Sequence, residues 1–374
     1  MEEEPIETTG RLRALDTFRG VTIAGMILVN MPGSWSHVYA PLRHAKWHGC
    51  TPTDLVFPFF LFIVGAAMAY SFRKYDHRLS PAAIKKIARR AVLIFVIGLF
   101  LNAFPFHKPF SEFRILGVLQ RIAIAYGIGA LLYLSLSRTR LIIVSALILI
   151  GYWLLLLGFG RPEPFALETN LVRAVDLKIL GENHVWGGFG VPFDPEGLLS
   201  TLPAVVTVIL GALTGRMIQA AAQLRSAVPR ILLAGVSAIV LGQLWGLALP
   251  INKALWTSSY VLYTAGLAML FVAVLLWIID VRGYRRWAYP FVVFGMNPLF
   301  LYALSAVWVR TYIYLIKFET ADGTAMNAYK WLYQSIFVPI AGPLNGSLLF
   351  AISHVFLFWL ILLALYRKRI FIKI

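Results

Sequence analysis

Acidic residues are scarce in this chain. Its 374 residues hold 17 Asp and Glu against 34 Lys and Arg, and charged residues make up only 14% of the total, where a soluble domain carries about a quarter. With 59% of the residues hydrophobic, that shortage excludes an ordinary water-soluble protein. A single cysteine, Cys50, excludes an intrachain disulfide framework and any CxxC metal site. No GxxxxGK phosphate loop, GxSxG elbow or HExxH pair occurs, so those nucleotide, hydrolase and zinc-protease signatures are missing. The apolar runs contain almost no Asp or Glu, whereas proton-coupled carriers commonly use intramembrane carboxylate relays. That argues against an ion-driven transporter and leaves a facilitator open. The opening MEEEPIETTG lacks a basic n-region, so no cleavable signal peptide is expected and the first apolar run is expected to act as the insertion signal.

What the chain does have is repeated apolar runs of about 20 residues, the length that crosses roughly 30 Å of hydrocarbon as a helix. Runs bounded by charge, Pro or Gly fall near residues 14–32, 54–72, 88–104, 114–134, 140–158, 198–218, 229–249, 257–279, 288–312 and 345–366. The expected fold is therefore all-α: a polytopic membrane bundle of about ten transmembrane helices. It forms one transmembrane domain over 11–374 behind a disordered tail, 1–10. The stretch Lys330 to Ile340 is too short to cross, is interrupted by Pro339 and Pro343, and reads as interfacial or re-entrant.

Basic residues mark the cytoplasmic connectors of such a protein. Arg11 and Arg13, the series Arg73 to Arg90, Arg138 and Arg140, Arg216 to Arg230, Arg282 to Arg286, and Arg367 to Arg369 all fall in alternate connectors. Ten spans then place both termini in the cytoplasm. The net charge of +17 is explained by this topology, and no nucleic-acid partner is expected. The opposite face receives the long connectors 33–53, 103–113, 159–197 and 313–344, with His37, His44, His48, His107 and His184.

The densest polar segment runs from His44 through Trp47, His48, Gly49, Cys50 and Thr51 to Asp54, at a membrane boundary. Imidazole beside carboxylate can make a general base with its orienting partner. The same residues could form a metal loop, though Gly49 and Pro52 disfavour the helix that would bring His44 and His48 together, or Thr53 or Asp54 could simply cap the second helix. Asp16 and Arg19 are spaced to pair on one helix face. Asn30, at the outer end of that helix, could donate to an oxyanion or cap. Gln120 and Arg121 lie inside the fourth apolar run, where an Arg marks a functional site and invites an anionic partner, a phosphate or Asp54. Asn252, Trp256 and Asn297 add polar or aromatic groups near other spans.

The blocks RLRALDTFRG, HAKWHGCTPTDLVFPFF, RILGVLQRIAIAY, GENHVWG, PINKALWTSSYVLYTAGLA and GMNPLFLY together resemble the heparan-α-glucosaminide N-acetyltransferase family of transmembrane acyltransferases. The chain looks like a short bacterial relative without the luminal region and additional first helix of the animal enzyme. The resemblance implies transfer of acetyl from cytosolic acetyl-CoA to the amine of a terminal glucosamine on the far side of a bacterial inner membrane. Acetyl-CoA serves as co-substrate, no metal is needed, and a homodimer is possible. The family's active-site histidine falls on His44, its helix-end asparagine on Asn30 and its acid on Asp54. His48 stands where the family has Asn, and the gap between Asn30 and His44 is longer.

On this reading His44 is a general base or a transient acetyl carrier. Arg19, Gln120, Arg121 and Asn297 are candidates to hold the donor, and Trp47, His48, His184, Asn252 and Trp256 to line the sugar site. The competing function is an amino-sugar or N-acetylglucosamine permease without chemistry, with Trp47 and Trp256 stacking on sugar rings.

Overall fold

A computed structural model describes residues 12–160, 162–319 and 325–372; the tail 1–10 and Arg11 lie outside them. The chain is helical in long apolar runs because in hydrocarbon every backbone N–H and C=O must be satisfied within its own segment. The helices are α1 (Arg13–Asn30), α2 (Val56–Ser71), α3 (Pro81–Ala103), α4 (Val118–Ser135), α5 (Arg138–Phe159), the short α6 (Leu171–Leu180), α7 (Thr201–Gln219), α8 (Leu224–Gly246), α9 (Ser258–Leu275), α10 (Tyr289–Met296), α11 (Pro298–Arg310), α12 (Ala328–Leu332) and α13 (Val338–Arg367). A two-stranded ribbon, β1 (Lys317–Glu319) and β2 (Ala325–Asn327), pairs antiparallel between α11 and α12.

Eight of these segments are long and apolar enough to cross a membrane. Helices α1 and α3 have spanning length too, but α1 carries Arg13, Asp16 and Arg19, and α3 carries Lys85, Lys86, Arg89 and Arg90.

One expected span, and the stretch read as interfacial or re-entrant, differ in detail. The run over 288–312 is broken at Asn297, whose backbone (φ −129°, ψ 51°) leaves the helical region, and Pro298 opens α11 because its missing N–H costs nothing at a helix start. The membrane-length piece is Pro298–Leu315. The stretch 330–340 is helical, as part of a kinked segment. Gly342 takes φ 74°, a conformation that only glycine adopts without strain, and Pro343 starts the next arm. The arms fold against each other: Tyr333 donates to the Pro343 carbonyl at 2.8 Å, and Phe337 packs on Phe350 at 5.2 Å.

Lipid gives no hydrophobic drive between helices, so close backbone approach through small residues does that work. Helices α2 and α7 show it: a Cβ on Gly65 would lie 1.9 Å from the Val208 oxygen, and one on Gly211 would lie 1.9 Å from the Phe62 oxygen. At one end of the bundle the basic connectors meet. Arg216 lies over the Tyr133 ring at 4.8 Å, the Tyr133 hydroxyl reaches His77, and the Ala14 amide donates to Asp280. At the other end the long connectors fold over the bundle, with Arg310 reaching the Phe104 carbonyl and Tyr329 the Pro32 carbonyl.

Candidate functional site

The His44 loop is built around one carboxylate. Pro52–Leu55 forms a single 3-10 turn leading into α2, and the Asp54 side chain reaches back to its start as a capping box, satisfying donors the helix cannot. Oδ2 of Asp54 accepts from the amides of Ala45 and Thr51 (both 3.0 Å) and from the Thr51 hydroxyl at 2.9 Å. Oδ1 lies 2.6 Å from His44 Nδ1 and 3.4 Å from Lys253 Nζ. Tyr260 of α9 donates to the Asp54 backbone carbonyl at 2.6 Å. Capping and orienting, alternatives in the sequence, are divided here between the two oxygens of one carboxylate.

A carboxylate surrounded by five donors is an acceptor only, so His44 Nδ1 must carry the hydrogen in the 2.6 Å contact. Nε2 then presents its lone pair. The His44 side chain is 42% exposed while that of Asp54 is 2% exposed, so the pair is anchored from below and open above. Cys50 borders it; burial, reinforced by Asp54, pushes its thiol up to about 12. Among the described residues no group of three His, Cys, Asp or Glu is placed to hold a metal ion.

The connector 247–257 covers the side of this loop. Gly49 donates to the Ile251 carbonyl at 2.7 Å, and its φ of 109° requires glycine. Asn252 is fully buried and spent as a clamp: its amide nitrogen donates to the Trp47 carbonyl at 2.9 Å and reaches His48, and its oxygen accepts from the Leu255 amide. Trp256 is also fully buried, with φ 50°. It packs edge-on against Phe57 and Tyr260 and lies under the Arg121 guanidinium at 5.0 Å. Neither ring face is open to a sugar. Trp47 donates to the Phe165 carbonyl and packs on Phe189 and Phe193, so it too serves the loop scaffold. Of the expected acceptor contacts, Asn252 and Trp256 are thus fully buried in structural interactions, whereas Trp47 is half-buried. His48 keeps an exposed ring beside Trp47. His184 is spent tying its loop to the Phe113 carbonyl at 2.9 Å.

Arg121 is fully buried. Its Nη2 bonds the Gly197 carbonyl at 3.2 Å and the Ser200 hydroxyl, near the acids Glu196, Asp194 and Asp176, while Nε and Nη1 have no hydrogen-bond partner among the described residues. Arg114 makes the direct ion pairs with Asp194 and Glu196. A buried charge needs such company, and the constellation fastens the 194–201 turn to α4. Gln120 donates to the Ile115 carbonyl at 2.9 Å in the same corner. Asp176, on α6, accepts from the Leu198 amide through one oxygen and has no partner for the other; burial raises its pKa to about 7. Asn30 is exposed at the last position of α1, and its side chain makes no hydrogen bond among the described residues.

A cavity of about 760 Å³ opens between α1, α2, α3, α4 and α11. Arg73, Lys86, Arg90 and Arg19 line one end, and Phe60, Ile63, Leu119, Ile122 and Leu299 line the rest. Arg19 fits the expected donor side; it bonds Asp16 and the Gly295 carbonyl, each at 3.1 Å. Asn297 does not line the cavity. Its amide clamps the backbone of Ile370 and Ile372, and Ile372 is a wall residue. Gln120 and Arg121 lie outside it as well. The sequence missed Arg73, Lys86 and Arg90 because basic connectors read first as topology. It missed Lys253 because no local pattern links it to a residue some two hundred positions away; the available signal was a lysine on the face where Lys and Arg are sparse.

A family profile described as heparan-alpha-glucosaminide N-acetyltransferase, catalytic, matches residues 11–244. Two curated proteins named heparan-alpha-glucosaminide N-acetyltransferase are similar. The human one is 30% identical over 352 aligned residues, covering 78% of this chain and 52% of its own length. The mouse one is 29% identical, covering 79% and 53%. The chain thus spans about half the length of the curated relatives it matches.

Proposed function

The chain belongs to the heparan-α-glucosaminide N-acetyltransferase family, and from that premise we propose that it is an integral membrane acetyltransferase of the inner membrane. It takes acetyl from cytosolic acetyl-CoA and gives it to the amine of a glucosamine-type sugar on the other side. The observation that carries the proposal is the pairing of two features at opposite ends of one bundle: a cavity with a basic mouth and apolar walls, and an open His–Asp pair above it. Arg73, Lys86 and Arg90 suit the phosphates of a nucleotide-bearing donor, and the apolar wall formed by Phe60, Leu119 and Leu299 suits a thin thioester arm. Residues 11–374 act as one unit, with both termini on the donor side.

In the proposed reaction the sugar nitrogen attacks the thioester carbon, the C–S bond breaks and CoA leaves as the thiolate. His44 Nε2 takes the proton from nitrogen and returns it to sulfur, while Asp54 holds Nδ1–H and stabilises the imidazolium. Asn30, at the same end of the bundle, is the candidate donor to the oxyanion. His48 is the candidate contact to the acceptor. Asp54 stands six residues before Phe60 on the rising helix, about 9 Å at 1.5 Å per residue. Phe57, one turn before Phe60, packs edge-on against Trp256.

The test is incubation of the purified protein with labelled acetyl-CoA and a glucosamine-terminated oligosaccharide, followed by mass analysis. A product heavier by one acetyl group, absent for His44→Ala, supports the reading. Absence of product, with no shift in melting temperature at millimolar acetyl-CoA, refutes it. Stable label on the protein without sugar, lost on His44→Ala, would replace direct transfer by an acetyl-histidine route.

A further inference from the structure

We propose that Lys253 is a positioning residue for the His44–Asp54 pair, delivered to it by the clamped connector between α8 and α9; this rests on the acetyl-transfer reading above. Lys253 Nζ lies 3.1 Å from His44 Nδ1 and 3.4 Å from Asp54 Oδ1. Nδ1 has one in-plane site, and the hydrogen shared with Asp54 at 2.6 Å occupies it. The ammonium therefore cannot bond to the ring. It is held against the edge of the imidazole, and its ionic partner is Asp54.

The placement is built rather than incidental. A lysine stem has many rotamers, and fixing its head costs entropy that an exposed ion pair seldom recovers. Here the backbone under it is fixed at both sides. Asn252 is bonded to the Trp47 carbonyl and to the Leu255 amide, its own amide donates to the Thr257 hydroxyl, and that hydroxyl donates to the Pro250 carbonyl. Trp256 is held at φ 50° beneath them, the kind of strained backbone that surrounding structure must over-determine. The Lys253 side chain is 23% exposed, so the ammonium is partly shielded from solvent and acts on Asp54 at close range.

The consequence is geometric. Asp54 Oδ2 is fixed by three donors of its own loop, but Oδ1 has only His44 and Lys253. Lys253 thus fixes the oxygen that sets the tautomer and the ring plane of His44.

The test compares Lys253→Met, which keeps the stem and removes the charge, with Lys253→Arg, which keeps the charge. Kinetics of acetyl transfer to a glucosamine oligosaccharide are read with melting temperature. Lys253→Met is expected to lower kcat about tenfold or more, a share of what a positioned general base supplies, with KM for acetyl-CoA within twofold of wild type; Lys253→Arg is expected to recover most of the loss. Wild-type kcat in a folded Lys253→Met overturns the inference, as does a loss in Lys253→Arg equal to that in Lys253→Met. If Lys253→Met does not fold, Lys253→Gln replaces it under the same criteria. An inactive wild type overturns the acetyl-transfer reading itself, and this inference with it.

Discussion

Asp54→Asn isolates the tautomer argument with the least change of shape. The amide oxygen will stay at the Oδ2 position, where the Ala45 amide, the Thr51 amide and the Thr51 hydroxyl all donate within 3.0 Å. The NH2 group is then forced into the Oδ1 position, 2.6 Å from His44 Nδ1 and 3.4 Å from the Lys253 ammonium. Two donors cannot face each other at that distance. His44 must give up the hydrogen on Nδ1 and carry it on Nε2, the atom that has to accept the substrate proton. A positioned base is worth roughly 10² to 10⁴ in rate, so the variant should lose about 3 to 5 kcal/mol of transition-state stabilisation at 1.36 kcal/mol per tenfold.

The fold should survive, because three of the five donors keep their acceptor. The assay is kcat for acetyl transfer alongside KM for acetyl-CoA and melting temperature. The expected pattern is kcat down by at least a hundredfold with KM within about threefold. A folded Asp54→Asn protein with kcat within threefold of wild type would refute the reasoning, since Nε2 could not then be the base.

Replacing Lys86 and Arg90 together by Met should raise KM for acetyl-CoA about thirtyfold and leave kcat within threefold, because charge contacts near the surface give about 1 kcal/mol each; an unchanged KM would mean the donor enters elsewhere. Cys50, with its thiol pushed up to about 12 by burial and by Asp54, holds about one part in ten thousand thiolate at pH 8. Maleimide should label it in denatured protein and leave it nearly untouched in the folded form, so fast labelling of folded protein at pH 8 would contradict the buried geometry. Asp176 has its pKa raised to about 7 from 3.8, so the folded state holds a proton that the unfolded chain releases. Stability from this group is fully present below pH 4 and is lost as pH rises through 7, by a few kcal/mol in order of magnitude. Asp176→Asn should flatten that slope between pH 4 and 8, and a melting curve as steep in the variant as in wild type would count against it.

The sequence by itself determined the class of fold. Apolar runs of spanning length, with few charges inside them, have one solution in a bilayer, and the positions of Lys and Arg were explicit. It also determined the densest part of the site, because His44 and Asp54 lie ten residues apart on one loop and the helix start at Pro52 dictates where the carboxylate turns. It could not determine the contacts made across the bundle. Arg121, read as a cation with an anionic partner, reaches the 194–201 turn of another connector through one nitrogen, and Trp256, read as a sugar platform, is fully buried. Asn297 holds the 370–372 backbone, a contact made across more than seventy positions of sequence.

Lys253 and the cavity between α1, α2, α3, α4 and α11 are products of the same limitation. A helical period states which face of a segment is apolar, but the choice of neighbour depends on close approaches such as Gly65 against Val208. Those depend on the shape of two surfaces at once. Local chemistry is written in adjacent residues, and the tertiary structure alone decides which distant charge is brought within 4 Å of it.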